Sequence, residues 1–129
     1  MSAWRRVAIE ILPEFRNEIA QADNPMALWV EIGVRFCDAF EKRNEDLIRR
    51  YFRYAEWCLD TANQDPTDAS TAAWCAFYEH LPEIAGLAEQ LHRYIPRTRF
   101  IQIRDAFRYH TNPDEFESLQ RTILLSYAH

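Results

Sequence analysis

The stretch EDLIRRYFRYAEWCLDTA, residues 45–62, decides the fold class. Ile48, Tyr51, Phe52, Ala55, Cys58, Leu59 and Ala62 recur at steps of three and four, one apolar stripe on a 3.6-residue period. Arg49, Arg50, Arg53, Glu56 and Asp60 fall on the other face. Glu45 with Arg49 and Asp46 with Arg50 are i,i+4 pairs with the acid N-terminal, each worth about 0.3–0.5 kcal/mol. Asn44 stands where an N-cap side chain accepts from early backbone N–H groups. The spacing predicts one helix over residues 45–62.

Working backwards, Asn24-Pro25 is an N-cap followed by proline at the first helical position, where a missing N–H costs nothing. A helix from Pro25 to about Lys42 follows, with Trp29, Ile32, Gly33, Phe36, Cys37 and Phe40 as its buried face. The turn near Asn44 is so short that the two helices must form an antiparallel hairpin. At the N-terminus, Trp4, Val7 and Ile11 share a face, and Pro13 restarts the helix with Phe15 and Ile19. Working forwards, Gln64 to Ser70 reads as a loop around Pro66, and Ala72 to Tyr78 as a helix apolar round most of its girth. Pro82 breaks it. Ile84, Leu87, Ala88, Leu91 and Ile95 give a further stripe, with Gly86 read as a close helix contact. Phe100, Ile103, Ala106, Phe107 and His110 predict a helix over residues 98–109. Asn112-Pro113 repeats the start signal for a last helix to about Ser126, with Asp114, Glu115 and Glu117 opposing its positive end.

The sequence therefore predicts an all-α protein of one domain, residues 1–129. Five to seven helices form antiparallel hairpins, arranged as a compact bundle or a short HEAT-like stack; Trp29 and Trp74 stand 45 residues apart, near the period of such repeats. The expected core is Phe36, Phe40, Phe52, Trp74, Phe77, Leu87, Leu91 and Phe107. With 129 residues, 48% of them apolar, the chain can bury a core without staples. Two glycines, Gly33 and Gly86, leave no glycine-rich phosphate loop. Cys37, Cys58 and Cys75 are an odd number without metal spacing and read as buried reduced thiols, which fits a cytoplasmic location. No uninterrupted signal-peptide core and no 18-residue apolar run is present, so no membrane partner is expected.

Net charge is −5, which opposes nucleic acid as the main partner. The charge is also segregated. Tyr54 to His92 has seven acids and no Lys or Arg, whereas Arg93 to Thr111 has five arginines against Asp105. Tyr94, Phe100 and Phe107 interleave those arginines, a pattern compatible with single-strand stacking, but they also fit the core stripe.

Chemistry is sparse. The four serines, Ser2, Ser70, Ser118 and Ser126, lack a nucleophile elbow. His110 falls on the apolar side of its predicted helix and reads as a core or boundary histidine. Glu89-x-x-His92 puts two ligands on one helix face, and Glu79, His80 and Glu83 near Pro82 could join it, but a di-metal bundle needs a second such motif. No catalytic residue, cofactor or metal is assigned. The favoured reading is a protein–protein interaction module without enzymatic activity, of the immunity or antitoxin type, masking a basic toxin. Asp60, Asp65, Asp68, Glu79, Glu83 and Glu89 are its candidate partner-binding residues. The alternative is a small-ligand or metal-binding helical protein, or an enzyme. Self-association through Trp4, Trp57 and Tyr94 is a third reading.

The strings Ala76-Phe77-Tyr78-Glu79-His80-Leu81-Pro82, Arg49-Arg50-Tyr51-Phe52 and Ala106-Phe107-Arg108-Tyr109-His110 resemble those of a group of small, mostly bacterial helical proteins of unassigned function. That resemblance implies a helical fold and assigns neither an activity nor a site.

Overall fold

The computed structural model describes residues 1–61 and 68–128. The described residues are mostly helical and contain no strand, and they group into two compact units, Met1–Phe77 and Tyr78–His129. The described residues contain eight α-helices, one above the predicted range, because the break at Pro13 leaves two separate helices before Pro25.

In the first unit, α1 (Ala3–Ile11) leads through a 3-10 turn at Pro13–Phe15 into α2 (Arg16–Gln21). Trp4 and Ala8 are the buried residues of α1, whereas Val7 and Ile11 are only half covered. Trp4 is therefore unavailable for a self-association contact. Arg5 caps the end of α2: its guanidinium donates to the carbonyls of Ile19, Ala20 (3.1 Å) and Ala22 (2.9 Å), groups a helix end otherwise leaves without partners.

Helices α3 (Pro25–Glu41) and α4 (Glu45–Asp60) start where the sequence placed them. Asn24 Oδ1 accepts from Ala27 N–H at 2.8 Å, and Asn44 Oδ1 from Leu47 N–H at 3.3 Å. Between them, Arg43 takes φ 55°. Arg43 N–H donates to Phe40 O, and Asn44 N–H to Ala39 O, the paired bonds of a Schellman turn with a non-glycine residue in its left-handed position. The hairpin register is fixed by rings: Trp29 stacks on Tyr54 at 5.3 Å, and Phe36 meets Tyr51 and Phe52 edge-on at 5.1 and 5.7 Å. Buried hydroxyls find carbonyls, with Tyr51 Oη donating to Ile32 O (2.6 Å) and Tyr54 Oη to Trp4 O (3.0 Å).

Helix α5 (Ala69–Ala76) packs on both. Ser70 is thus helical rather than part of the predicted loop; Ala62 and Gln64–Thr67 lie outside the described residues. A Cβ at Gly33 would stand 3.5 Å from Ala76 O, an ordinary van der Waals contact, so the packing of α3 on α5 does not require glycine there. Phe77 ends α5 and plugs the hairpin, 4.9 Å from Trp29, 5.1 Å from Phe36 and 5.3 Å from Phe52. Three expectations fail. Phe40 and Trp74 are half covered, and Cys37 is exposed. The seventeen residues of α3 bury a narrow stripe through Leu28, Trp29, Ile32, Phe36 and Ala39, and Cys37 lies beyond its edge. Cys58 alone of the three thiols is fully buried, with Cys75 intermediate.

In the second unit a 3-10 segment, Tyr78–Glu83, contains Pro82 and precedes α6 (Leu87–Gln90) and a 3-10 turn at Leu91–Arg93. Gly86 is exposed at φ 83°, so it serves a left-handed turn and not the helix contact the sequence suggested. Next come α7 (Arg97–Ile103), a 3-10 segment at Arg104–Arg108 and α8 (Pro113–Ser126). Helix α8 opens on a capping box: Glu115 N–H donates to Asn112 Oδ1 at 2.8 Å, and the Glu115 carboxylate accepts from Asn112 N–H. Tyr78, Leu81, Leu87, Leu91, Ile95, Phe100, Ile103, Phe107, Phe116 and Ile123 form this unit's core.

Candidate functional site

Within the first unit, two features face outward. Met26, Val30 and Val34, at i, i+4 and i+8 of α3, form an exposed apolar row; Val30 is 60% and Val34 70% exposed. The opposite face of α3 is full, so this row has no partner within its own unit. On α3 and within two residues of its ends, exposed Asp23, Glu31, Asp38 and Glu41 stand against exposed Arg35, Lys42 and Arg43. Arg35 lies 3.1 Å from Glu18 and 3.5 Å from Glu31, and Lys42 3.2 Å from Asp38. The rim is therefore net acidic. Asp60 is exposed at the end of α4, which the hairpin register sets level with the start of α3. Asp68, exposed at φ 63°, precedes α5 and accepts from Thr71 Oγ1 at 2.7 Å. Asp65 lies outside the described residues.

The other three predicted acids are in the second unit, and they divide. Glu89 is exposed on α6. Glu83 and Glu79 instead join two histidines. A 3-10 helix has three residues per turn, so positions i and i+3 eclipse. In Tyr78–Glu83 this turns Tyr78 and Leu81 inward and sets His80 over Glu83, with His80 Nδ1 3.2 Å from Glu83 Oε2. That segment packs on the 3-10 segment Arg104–Arg108, just beyond which His110 emerges. The two imidazoles stack with centroids 4.6 Å apart and planes 24° from parallel. His110 Nδ1 lies 3.9 Å from Glu83 Oε1, and its Nε2 lies 3.6 Å from Glu79 Oε1. Glu79 is 12% exposed, held by the fold, whereas Glu83 is 53% exposed.

His110 is thus no core histidine; it lies past the helical segment the sequence assigned it to, in the turn before α8. The spacing Glu89-x-x-His92 assembles nothing comparable. Glu89 ends in α6 and His92 in the following 3-10 turn, where His92 meets Tyr127 edge-on at 6.2 Å. Among the described residues, one set of three or more His, Cys, Asp and Glu side chains could share a metal ion: His80, Glu83 and His110, with ligand atoms all within 4.8 Å of one another. Sequence spacing pointed to His80 and Glu83 but missed His110, thirty residues on.

No family model, curated protein or solved structure matches the chain. No helix among the described residues is long and apolar enough to cross a membrane.

Proposed function

We propose that the protein is a protein–protein interaction module whose partner is a basic protein, in the manner of an immunity or antitoxin protein that masks a basic toxin. The observation that carries this reading is the exposed row Met26, Val30, Val34 with its net acidic rim on α3. An apolar centre inside a charged border is the ordinary anatomy of a protein interface. Apolar contact supplies most of the affinity, and the rim selects charge and speeds encounter. The chain's net charge of −5 acts in the same direction, and Asp60, Asp68, Glu83 and Glu89 are exposed acids that add to the attraction.

The test is affinity capture from a lysate of the source organism with the wild-type chain and a Val30→Asp/Val34→Asp variant, at physiological and at high salt. Circular dichroism first establishes that the variant keeps its helical spectrum. A stoichiometric partner of high isoelectric point, retained by the wild type and lost by the variant, supports the reading. Loss of that partner at high salt assigns encounter and selectivity to the acidic rim. A partner captured equally by both chains, an acidic partner, or an empty eluate overturns it.

A further inference from the structure

We infer that His80, Glu83 and His110 form a binding site for a divalent transition-metal ion, with the Glu79 carboxylate positioning His110. The site lies wholly in the second unit and does not depend on the α3 reading. Two imidazoles and one carboxylate are the donor set of Zn²⁺ and its neighbours; Ca²⁺ and Mg²⁺ prefer all-oxygen shells.

The geometry identifies the atoms. Glu83 approaches both rings on their Nδ1 side, at 3.2 Å for His80 and 3.9 Å for His110. An ion among these three takes both Nδ1 atoms and one Glu83 oxygen. Tetrahedral Zn²⁺ with bonds of about 2.0–2.1 Å holds its ligands roughly 3.3 Å apart. The ligand atoms here span at most 4.8 Å. Closing that gap takes side-chain rotations of His80, Glu83 and His110, which are 48%, 53% and 35% exposed and so are not locked by packing.

A second observation comes from behind the site. With Nδ1 of His110 on the metal, its Nε2 carries the proton and lies 3.6 Å from Glu79 Oε1, a gap that a small rotation of the exposed ring closes to hydrogen-bond distance. A carboxylate on the far nitrogen of a metal-bound histidine fixes its tautomer and raises its basicity. Glu79, largely buried, is in place for that role, while the exposed Glu83 is in place to bind. Three protein ligands at an exposed position leave a fourth coordination place to water or a substrate atom, as in catalytic rather than closed structural zinc sites.

The experiment uses the full chain, stripped with a chelator and titrated with Zn²⁺ by calorimetry, and with Co²⁺ by visible absorption. The expected result is one ion per chain, with the visible bands of four-coordinate Co²⁺. His80→Ala and His110→Ala each abolish saturable binding, and Glu83→Gln weakens it. Glu79→Gln, which removes no ligand, weakens it by roughly 10–100-fold. A His92→Ala/His129→Ala chain binds as the wild type does. Absence of saturable Zn²⁺ binding overturns the site, as does binding that survives both His80→Ala and His110→Ala. Equal loss in the His92→Ala/His129→Ala control overturns it too. Should either histidine variant lose its helical spectrum, the exposed Glu83→Gln chain decides by the same readout.

Discussion

Arg50 allows a quantitative test of how the first unit holds together. In sequence it is the basic half of a solvated Asp46–Arg50 pair worth about 0.3–0.5 kcal/mol. In the structure its side chain is 20% exposed and serves three partners. Nε donates to Asp46 at 2.9 Å, the two terminal nitrogens grip Glu14 at 2.5 and 2.7 Å, and Nη1 also reaches Ile11 O at 3.1 Å. Those last contacts tie the break between α1 and α2 to α4. Glu14 is 43% exposed, so solvent screens part of the attraction. A forked, charge-assisted pair that is half covered falls between the 0–1 kcal/mol of surface pairs and the upper range for charged hydrogen bonds, about 1–2 kcal/mol. Adding about 1 kcal/mol for the Ile11 carbonyl, Arg50→Ala should cost about 2–3 kcal/mol. The assay is urea unfolding followed by tryptophan emission, since Trp4, Trp29, Trp57 and Trp74 all lie in the same unit as Arg50. A double-mutant cycle with Glu14→Gln isolates the pair. The hydrogen bond from Arg50 holds the Glu14 carboxyl below its ordinary value. Its stabilisation is therefore present above the unfolded carboxyl pKa, about 4.3, and is lost as pH falls through the lower folded value. That acid-side loss should disappear in Arg50→Ala. A coupling energy below about 0.5 kcal/mol, the range of an exposed pair, would refute the reasoning.

Three further outcomes are expected. Arg43→Gly should stabilise the first unit by about 0.5–1 kcal/mol, because φ 55° strains a residue with a Cβ and not glycine; a lower urea midpoint would show that Arg43 makes a compensating contact. Burial pushes the Tyr127 hydroxyl up to about 12, and it donates to Ile95 O at 2.8 Å. Its stabilisation is intact below the unfolded value near 10 and declines as pH rises towards 12, so Tyr127→Phe should be less stable at pH 8 and show a shallower alkaline decline; equal declines in the two chains would count against it. With a small thiol reagent, exposed Cys37 should react in the folded protein and buried Cys58 only on unfolding; mass mapping that finds Cys58 labelled first would overturn that order.

What could be read from the sequence follows the range of the interactions. Asn24-Pro25, Asn44 and Asn112-Pro113 are local signals, settled by a side chain reaching a backbone N–H three residues away, and each marks a real helix start. The stripe of α4 is also local: its positions from Ile48 to Cys58 are all buried, and the next, Leu59, is half covered. Prediction degrades between Tyr78 and His110. Pro82, Gly86 and Pro96 interrupt the chain there so often that 3-10 turns replace the continuous helices implied by the apolar period. That change moved His110 off its supposed apolar face and separated Glu89 from any cluster. The contacts of His80 and Glu79 with His110 join segments thirty residues apart, and no spacing rule reports such a pairing. The miss at Cys37 has another cause: an apolar letter at the margin of a stripe is buried only if the neighbouring helix is wide enough to cover it.

The 3-10 segments of the second unit have a consequence in time as well as in space. Its backbone hydrogen bonds are divided among runs of three to seven residues, α8 excepted. Short runs cannot spread the cost of helix nucleation over many bonds, so each opens nearly by itself. Amide hydrogen exchange should therefore be patchy here, with slow protons in α8 and faster ones through Tyr78–Glu83 and Leu91–Arg93. His80 belongs to one such fast-opening run, and His110 lies two residues beyond another, Arg104–Arg108. Whatever binds both side chains must hold these two runs closed together, and slowed exchange at amides that never touch the ligand would record it.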